Sequence, residues 1–249
     1  MEFFDSDGVE IAFMRQGAGR PVLLIHGFAS NHRVNWVDTG WVKVLVEAGF
    51  QAIALDNRGH GASAKLYDPG LYGAPSMAED AARLIRHLGL SQVDVMGYSM
   101  GARISAFLAM AEPGLIRRAV FAGLAANMIH GVGGAEVIAN ALEAPTREDV
   151  PPGQPRMFRV FAEQTGSDLL ALSACMRASR QKISAQELSH ITCPSLVVAG
   201  SMDEIAGPVE PLLQALPNAQ SLTLEGRNHM NAVGDRQYKQ AVVDFLSAP

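Results

Sequence analysis

Cysteine is scarce in this chain. Of its 249 residues only Cys175 and Cys193 are cysteines, and their separation does not suit a metal knuckle. The sequence reads them as two reduced thiols. Clusters of basic residues are also missing: Lys and Arg total 20 against 25 Asp and Glu, for a formal net charge of -5 with the seven His neutral. A nucleic-acid binder carries a basic stripe, so that class of partner is set aside. No apolar stretch approaches the roughly 18 residues of a membrane helix. The opening MEFFDSDG is acidic where a secretory leader is basic. No internal repeat or low-complexity tract is present. These absences lead us to expect a soluble, cytoplasmic protein without membrane insertion, and nothing in the sequence specifies an oligomeric state.

What remains is a globular balance, 48% apolar and 18% charged, of a length that suits one large domain. Short runs rich in Val, Ile and Leu alternate with helical patterns, the mark of a mostly parallel sheet covered on both faces. Eight strands are expected, over residues 2–5, 9–15, 21–25, 51–55, 93–96, 118–122, 196–199 and 221–224. The first two flank the turn cluster Ser6-Asp7-Gly8 and read as an antiparallel hairpin. Helices are expected over 41–47, 100–111 and 235–246. A further helix, stopping at Gly89, carries Ser76 and Glu79 as a capping box. From residue 126 to 189 no strand pattern occurs, while apolar residues recur at helical spacing. We expect a helical insertion there, 126–189, with the core formed by 1–125 and 190–249.

The strongest chemical signal is Gly97-Tyr98-Ser99-Met100-Gly101, between an expected strand and an expected helix. A residue at so sharp a turn needs small neighbours two positions before and after it, and both are glycine. Ser99 is therefore the candidate nucleophile. The loop His26-Gly27-Phe28 ends the 21–25 strand and can offer the Phe28 amide to an oxyanion, with the Met100 amide as second donor. His26 itself reads as structural. Of the seven histidines, His229 lies just past the last strand, where loops assemble sites in parallel sheets. It is the candidate base. Asp203, past the 196–199 strand, is the candidate acid that would hold the imidazole, with Glu204 as its rival. Asp56 is expected to pair with Arg58 and hold their shared loop. Phe28, Tyr98, Met128, Phe158 and Phe161 are candidates to line a substrate pocket, against the plain alternative that the insertion's Met and Phe form only its own core.

With these motifs in order, the sequence resembles the α/β-hydrolase superfamily over essentially its whole length: HGF, DNRGHGAS, GYSMG, GSMDE and a late NHM. The closest look is to small bacterial carboxylesterases with a short helical cap. The resemblance implies an α/β-hydrolase fold with an eight-stranded, mostly parallel sheet, and a cap inserted after strand 6. It also implies a serine hydrolase that needs no cofactor or metal and acts on a small-molecule ester. The same three residues would serve carbon–carbon cleavage of ring-fission products or enol-lactone hydrolysis, and extra Arg in the pocket would favour the former. Arg58 and Arg103 are the candidates for that role, and each also has a structural explanation. Dehalogenase and epoxide-hydrolase relatives carry Asp at the position of Ser99, which sets those reactions aside. A non-catalytic ligand-binding member and a peroxidase-like side reaction complete the alternatives.

Overall fold

Alternation along the strands explains the sheet. In β3 (Arg20–Ile25) Val22 and Leu24 join the apolar cluster on one face, Leu23 and Ile25 that on the other, and all four are buried. A strand covered on both sides has no polar face to show, so it reads as an unbroken apolar run. The same holds, nearly throughout, for β4 (Phe50–Leu55), β5 (Val93–Tyr98), β6 (Ile116–Ala122) and β7 (Ser195–Gly200). With β1 (Glu2–Asp5), β2 (Glu10–Gln16) and β8 (Ala219–Leu224) they form one sheet in the order β1-β2-β4-β3-β5-β6-β7-β8. Only β1–β2 and β2–β4 are antiparallel. This computed structural model describes residues 1–249.

Helices α1 (Trp41–Glu47) and α10 (Arg236–Ser247) cover one face through Trp41, Leu45, Tyr238 and Val242. On the other face lie α2 (Ala74–His87) and α3 (Met100–Ala111). Between β6 and β7 the chain forms α4 (Ala126–His130), α5 (Ala135–Glu143), α6 (Gln154–Gln164), α7 (Leu169–Ala178) and α8 (Ala185–Leu188). The short α9 (Glu210–Ala215) follows β7. The layer from α4 to α8 meets the loops beyond β3 and β5. Phe158 packs edge-on against Phe28 at 5.7 Å, Thr165 Oγ1 donates to the Ala29 carbonyl at 2.9 Å, and Cys175 Sγ lies 3.9 Å from Met100 Sδ. Both cysteines are free thiols. No helix is long and apolar enough to cross a membrane.

Two local expectations are corrected. Ser76 does not cap α2, which begins two residues earlier at Ala74. The amide of Ala74 is satisfied by Gln181 Oε1 at 3.0 Å, a tertiary cap from 107 positions away that displaces the local one. Nor does Asp56 pair with Arg58. Arg58 binds Asp80 with Nε and Nη2, both at 2.7 Å, while Asp56 accepts from the backbone amide of His32 (2.7 Å) and meets its Nδ1 (2.9 Å). Burial resists charge on Asp56, yet the His32 contacts and the Ala62 amide prevail and hold its carboxyl down at about 2.

The Arg58–Asp80 pair is almost wholly buried, and Asp80 also accepts from Ser6 Oγ. Removing one partner strands the other charge in the interior, which costs about 3–5 kcal/mol. Asp80→Ala is therefore expected to lower Tm by about 10 °C in thermal denaturation followed by circular dichroism. A change of a degree or two would mean that the guanidinium finds water.

Candidate active site

The turn between β5 and α3 is built around Ser99, whose φ of 56° and ψ of −114° few L-residues adopt. Close packing on both flanks accommodates the turn only with glycine there. A Cβ on Gly97 would collide with the Gly101 carbonyl, and one on Gly101 with the carbonyl of Ile25. The Ser99 amide donates to Ala122 at 2.7 Å, tying the turn to the end of β6.

Two loops from neighbouring strand ends reach the same point. His229, past β8, has Nε2 3.0 Å from Ser99 Oγ. Its Nδ1 lies 2.9 Å from Asp203 Oδ2, past β7. Asp203 is buried, and its Oδ1 accepts the amides of Ile205 and Ala206 at 3.0 and 2.9 Å. A carboxylate so held places the imidazole proton on Nδ1, leaving Nε2 free to accept the Ser99 hydroxyl proton. Tyr98 steadies the same loop: its hydroxyl donates to the His229 carbonyl at 2.6 Å. Burial, reinforced by Asp203, pushes the Tyr98 phenol pKa well up, so it remains a donor. Glu204, the rival acid, is exposed and its carboxylate touches none of these groups.

The remaining histidines do other work. His60 is buried beneath the site and stays neutral: burial first, and the cost of a second charge next to the His26 ring, bring it down to about 3. His87 stacks on Phe4, and His130 and His190 are exposed. His26 is structural, as its position suggested, and its contacts are specific. Its Nε2 accepts the Asn57 amide at 3.0 Å, which leaves the proton on Nδ1 for the Gly27 carbonyl at 2.7 Å. Burial lowers its pKa and keeps it in that neutral form. Asn35 Oδ1 accepts the Gly27 amide at 3.0 Å. Gly27 is thus held at both ends. In a planar trans peptide C=O and N–H point oppositely, so pinning the Gly27 carbonyl turns the Phe28 amide away from it. Neither the Phe28 nor the Met100 amide donates a hydrogen bond within the protein.

A cavity of about 250 Å³ contains Ser99 and His229. Phe28, Tyr98, Phe158 and Phe161 line it, as the sequence suggested. Met128 does not. It is fully buried in the core, because α4 docks through the Ala125 and Asn127 amides on the Ala206 carbonyl and turns that side chain inward. Met157, from α6, lines the cavity instead, along with Val34, Asn35, Thr39, Met230 and Val233. Met230 adjoins His229 and could have been found from it. The segment from Val34 to Thr39 carried no motif. Arg58 and Arg103 are both outside the cavity. Arg58 is bound to Asp80, and Arg103 donates to the Gln181 carbonyl.

Comparison with known proteins fits this geometry. The model of the alpha/beta hydrolase fold family matches residues 20–179. The non-heme chloroperoxidase CPO-A1 of Kitasatospora aureofaciens is 27% identical over 97% of both chains. A hydrolase from Pseudomonas aeruginosa PA01 superposes with TM-score 0.82 at 25% identity, over 99% of this chain and 98% of the other. A thermophilic esterase from Thermogutta terrifontis shares the fold at TM-score 0.79 and 22% identity, over 98% of this chain and 96% of its own.

Proposed function

Because the chain belongs to the alpha/beta hydrolase fold family, we propose that it is a serine hydrolase cleaving carboxylic esters of small to medium size through an acyl-enzyme. The observation that carries this reading is the relay from Asp203 through His229 to Ser99, at 2.9 and 3.0 Å, beside two unspent backbone amides. His229 takes the Ser99 proton as the oxygen attacks the ester carbonyl. The Phe28 and Met100 amides receive the oxyanion, each worth about 3 kcal/mol in the transition state. His229 then protonates the departing alcohol, and afterwards activates the water that frees the acid. The small, largely apolar cavity favours a short acyl group, since pockets for drug-sized ligands start at about 300 Å³. The absence of Arg from its lining removes the feature that would favour a ring-fission dicarboxylate.

The test is turnover of p-nitrophenyl acetate, butyrate, octanoate and palmitate, with a fluorophosphonate label mapped by peptide mass. We expect the short esters to lead, palmitate to trail, and the label to sit on Ser99. An enzyme that neither turns over nor takes the label is not a serine esterase. The likeness to the chloroperoxidase supports one further reading, in which hydrogen peroxide replaces water as acyl acceptor and yields a peroxyacid. Peroxide-dependent halogenation in acetate buffer, tracking esterase activity across variants, would establish it.

The clamp on Gly27 gives a sharper expectation. Asn35→Leu removes the acceptor for the Gly27 amide and lets the Phe28 amide drift, which should lower kcat up to about 10²-fold with KM nearly unchanged. Affinity for a boronic acid that mimics the tetrahedral adduct should fall in parallel. A variant that loses kcat but keeps the boronate affinity would take Asn35 out of oxyanion stabilisation.

A further inference from the structure

A second recess meets the first at His229. It has a volume of about 600 Å³ and a polar wall that includes Asn127, Gln154, Glu204 and Asn228. Met157, His229 and Met230 belong to both recesses, whereas Ser99 belongs only to the first. The two methionines therefore stand at the junction between a compact apolar chamber holding the nucleophile and an open polar groove that reaches the base.

We propose that this groove receives the leaving alcohol and that it favours alcohols bearing a cationic amine. The inference rests on the ester-hydrolase reading above. Its first half follows from bond order in the reaction. The acyl carbon becomes bonded to Ser99 Oγ with its oxygen toward the Phe28 and Met100 amides, so the acyl chain belongs in the recess that contains Ser99. The bond that breaks joins that carbon to the alcohol oxygen, and His229 Nε2 delivers the proton which that oxygen takes up. The alcohol must therefore lie against His229, and the recess that includes His229 without Ser99 is the groove.

Its second half follows from charge. Glu204 is exposed and lines the groove and the recess beside it, and no cation or hydrogen-bond donor in the protein engages its carboxylate; only its backbone carbonyl is used, by Asn127 Nδ2. No Lys or Arg lines the groove. Arg180 donates to the carbonyls of Val132 and Gly133 and the Lys182 stem packs beside Gly131, all three of which line the groove, but neither cation is itself part of the wall. Asn228 spends its Oδ1 on the amides of Met230 and Asn231, which leaves its NH2 group for an alcohol oxygen. The thioethers of Met157, Met202 and Met230 add soft, adaptable contact for the methyl groups of a quaternary amine.

The experiment compares three butyrate esters that differ only in the alcohol: choline, 2-methoxyethanol and glycolate, followed by pH-stat. Butyrate keeps the acyl side constant, and hydrolysis of the neutral ester tests the underlying esterase reading separately. The cation-to-anion ratio of kcat/KM is expected to fall roughly tenfold in Glu204→Gln, about threefold from each ester, as suits an exposed carboxylate screened by water, and to invert in Glu204→Lys. Comparing variants cancels the intrinsic reactivity of each alcohol. A ratio that Glu204 variants leave unmoved overturns the charge preference. The placement has its own readout: Gln154→Trp should narrow tolerance for bulky alcohols while leaving the acyl chain-length profile as it was. If the acyl profile shifts instead, the groove holds the acyl chain and the assignment is wrong.

Discussion

Ser99→Ala is expected to lower kcat for short p-nitrophenyl esters by about 10⁶-fold, the loss typical when the nucleophile of such a relay is removed. The size of the effect follows from interdependence. Without Oγ, His229 has no proton to take and the Phe28 and Met100 amides have no covalent adduct to stabilise, so three functions fail through one deletion. What survives is the small acceleration from binding and from the amides acting on direct attack by water. The fold should be unaffected. Ser99 Oγ meets only His229 Nε2, and alanine bears the cost of a φ of 56° no worse than serine does. Unchanged Tm with lost turnover is the expected pair of results, measured on protein prepared free of wild-type carry-over. Activity within tenfold of wild type would show that another group attacks.

The sheet and the elbow were legible in the sequence for a shared reason: both are dictated by local rules. Strands buried on two faces must be continuously apolar, and a strained strand-to-helix turn must be flanked by small residues. The two loops that follow β7 and β8 could be read because parallel sheets gather their loops at one end. What stayed hidden is what only the third dimension decides. Gln181 capping Ala74 and Asp80 claiming Arg58 are pairings over long or unpatterned separations, and each overrides a plausible local partner. Met128 and Met157 are alike in composition and in lying on helices of the layer over the sheet. One is core and the other lines the cavity, because α4 docks against the Ala206 carbonyl while α6 faces Phe28. Asn35 carried no motif at all, yet it holds the peptide before the Phe28 amide. A residue whose role is to hold a backbone group leaves little trace in a single sequence.

The same distinction between holding and reacting sets the outcome at Asp203. Asp203→Asn should lower kcat by about 10⁴-fold while leaving substrate affinity and Tm close to wild type. Both carboxylate oxygens reach His229 Nδ1, Oδ1 at 3.0 Å and Oδ2 at 2.9 Å, but they are not equivalent. Oδ1 is occupied by the amides of Ile205 and Ala206, which can only donate. An asparagine must keep its oxygen there, which turns its NH2 toward His229 Nδ1 in the position of Oδ2, 2.9 Å away. That NH2 also can only donate, and the oxygen at the Oδ1 position is already shared between two amides, so Nδ1 becomes the acceptor and the ring proton moves to Nε2, which then faces Ser99 Oγ as a donor and no longer takes its proton. The loop keeps its shape, since both backbone donors are still satisfied, and the loss is one of tautomer rather than of structure. Histidine ring resonances in ¹⁵N NMR report the proton directly, on Nδ1 in the wild type and on Nε2 in the variant. If the variant instead stays within tenfold of wild-type kcat, the relay does not end at Asp203, and its carboxylate would be no more than the anchor for the Ile205 and Ala206 amides.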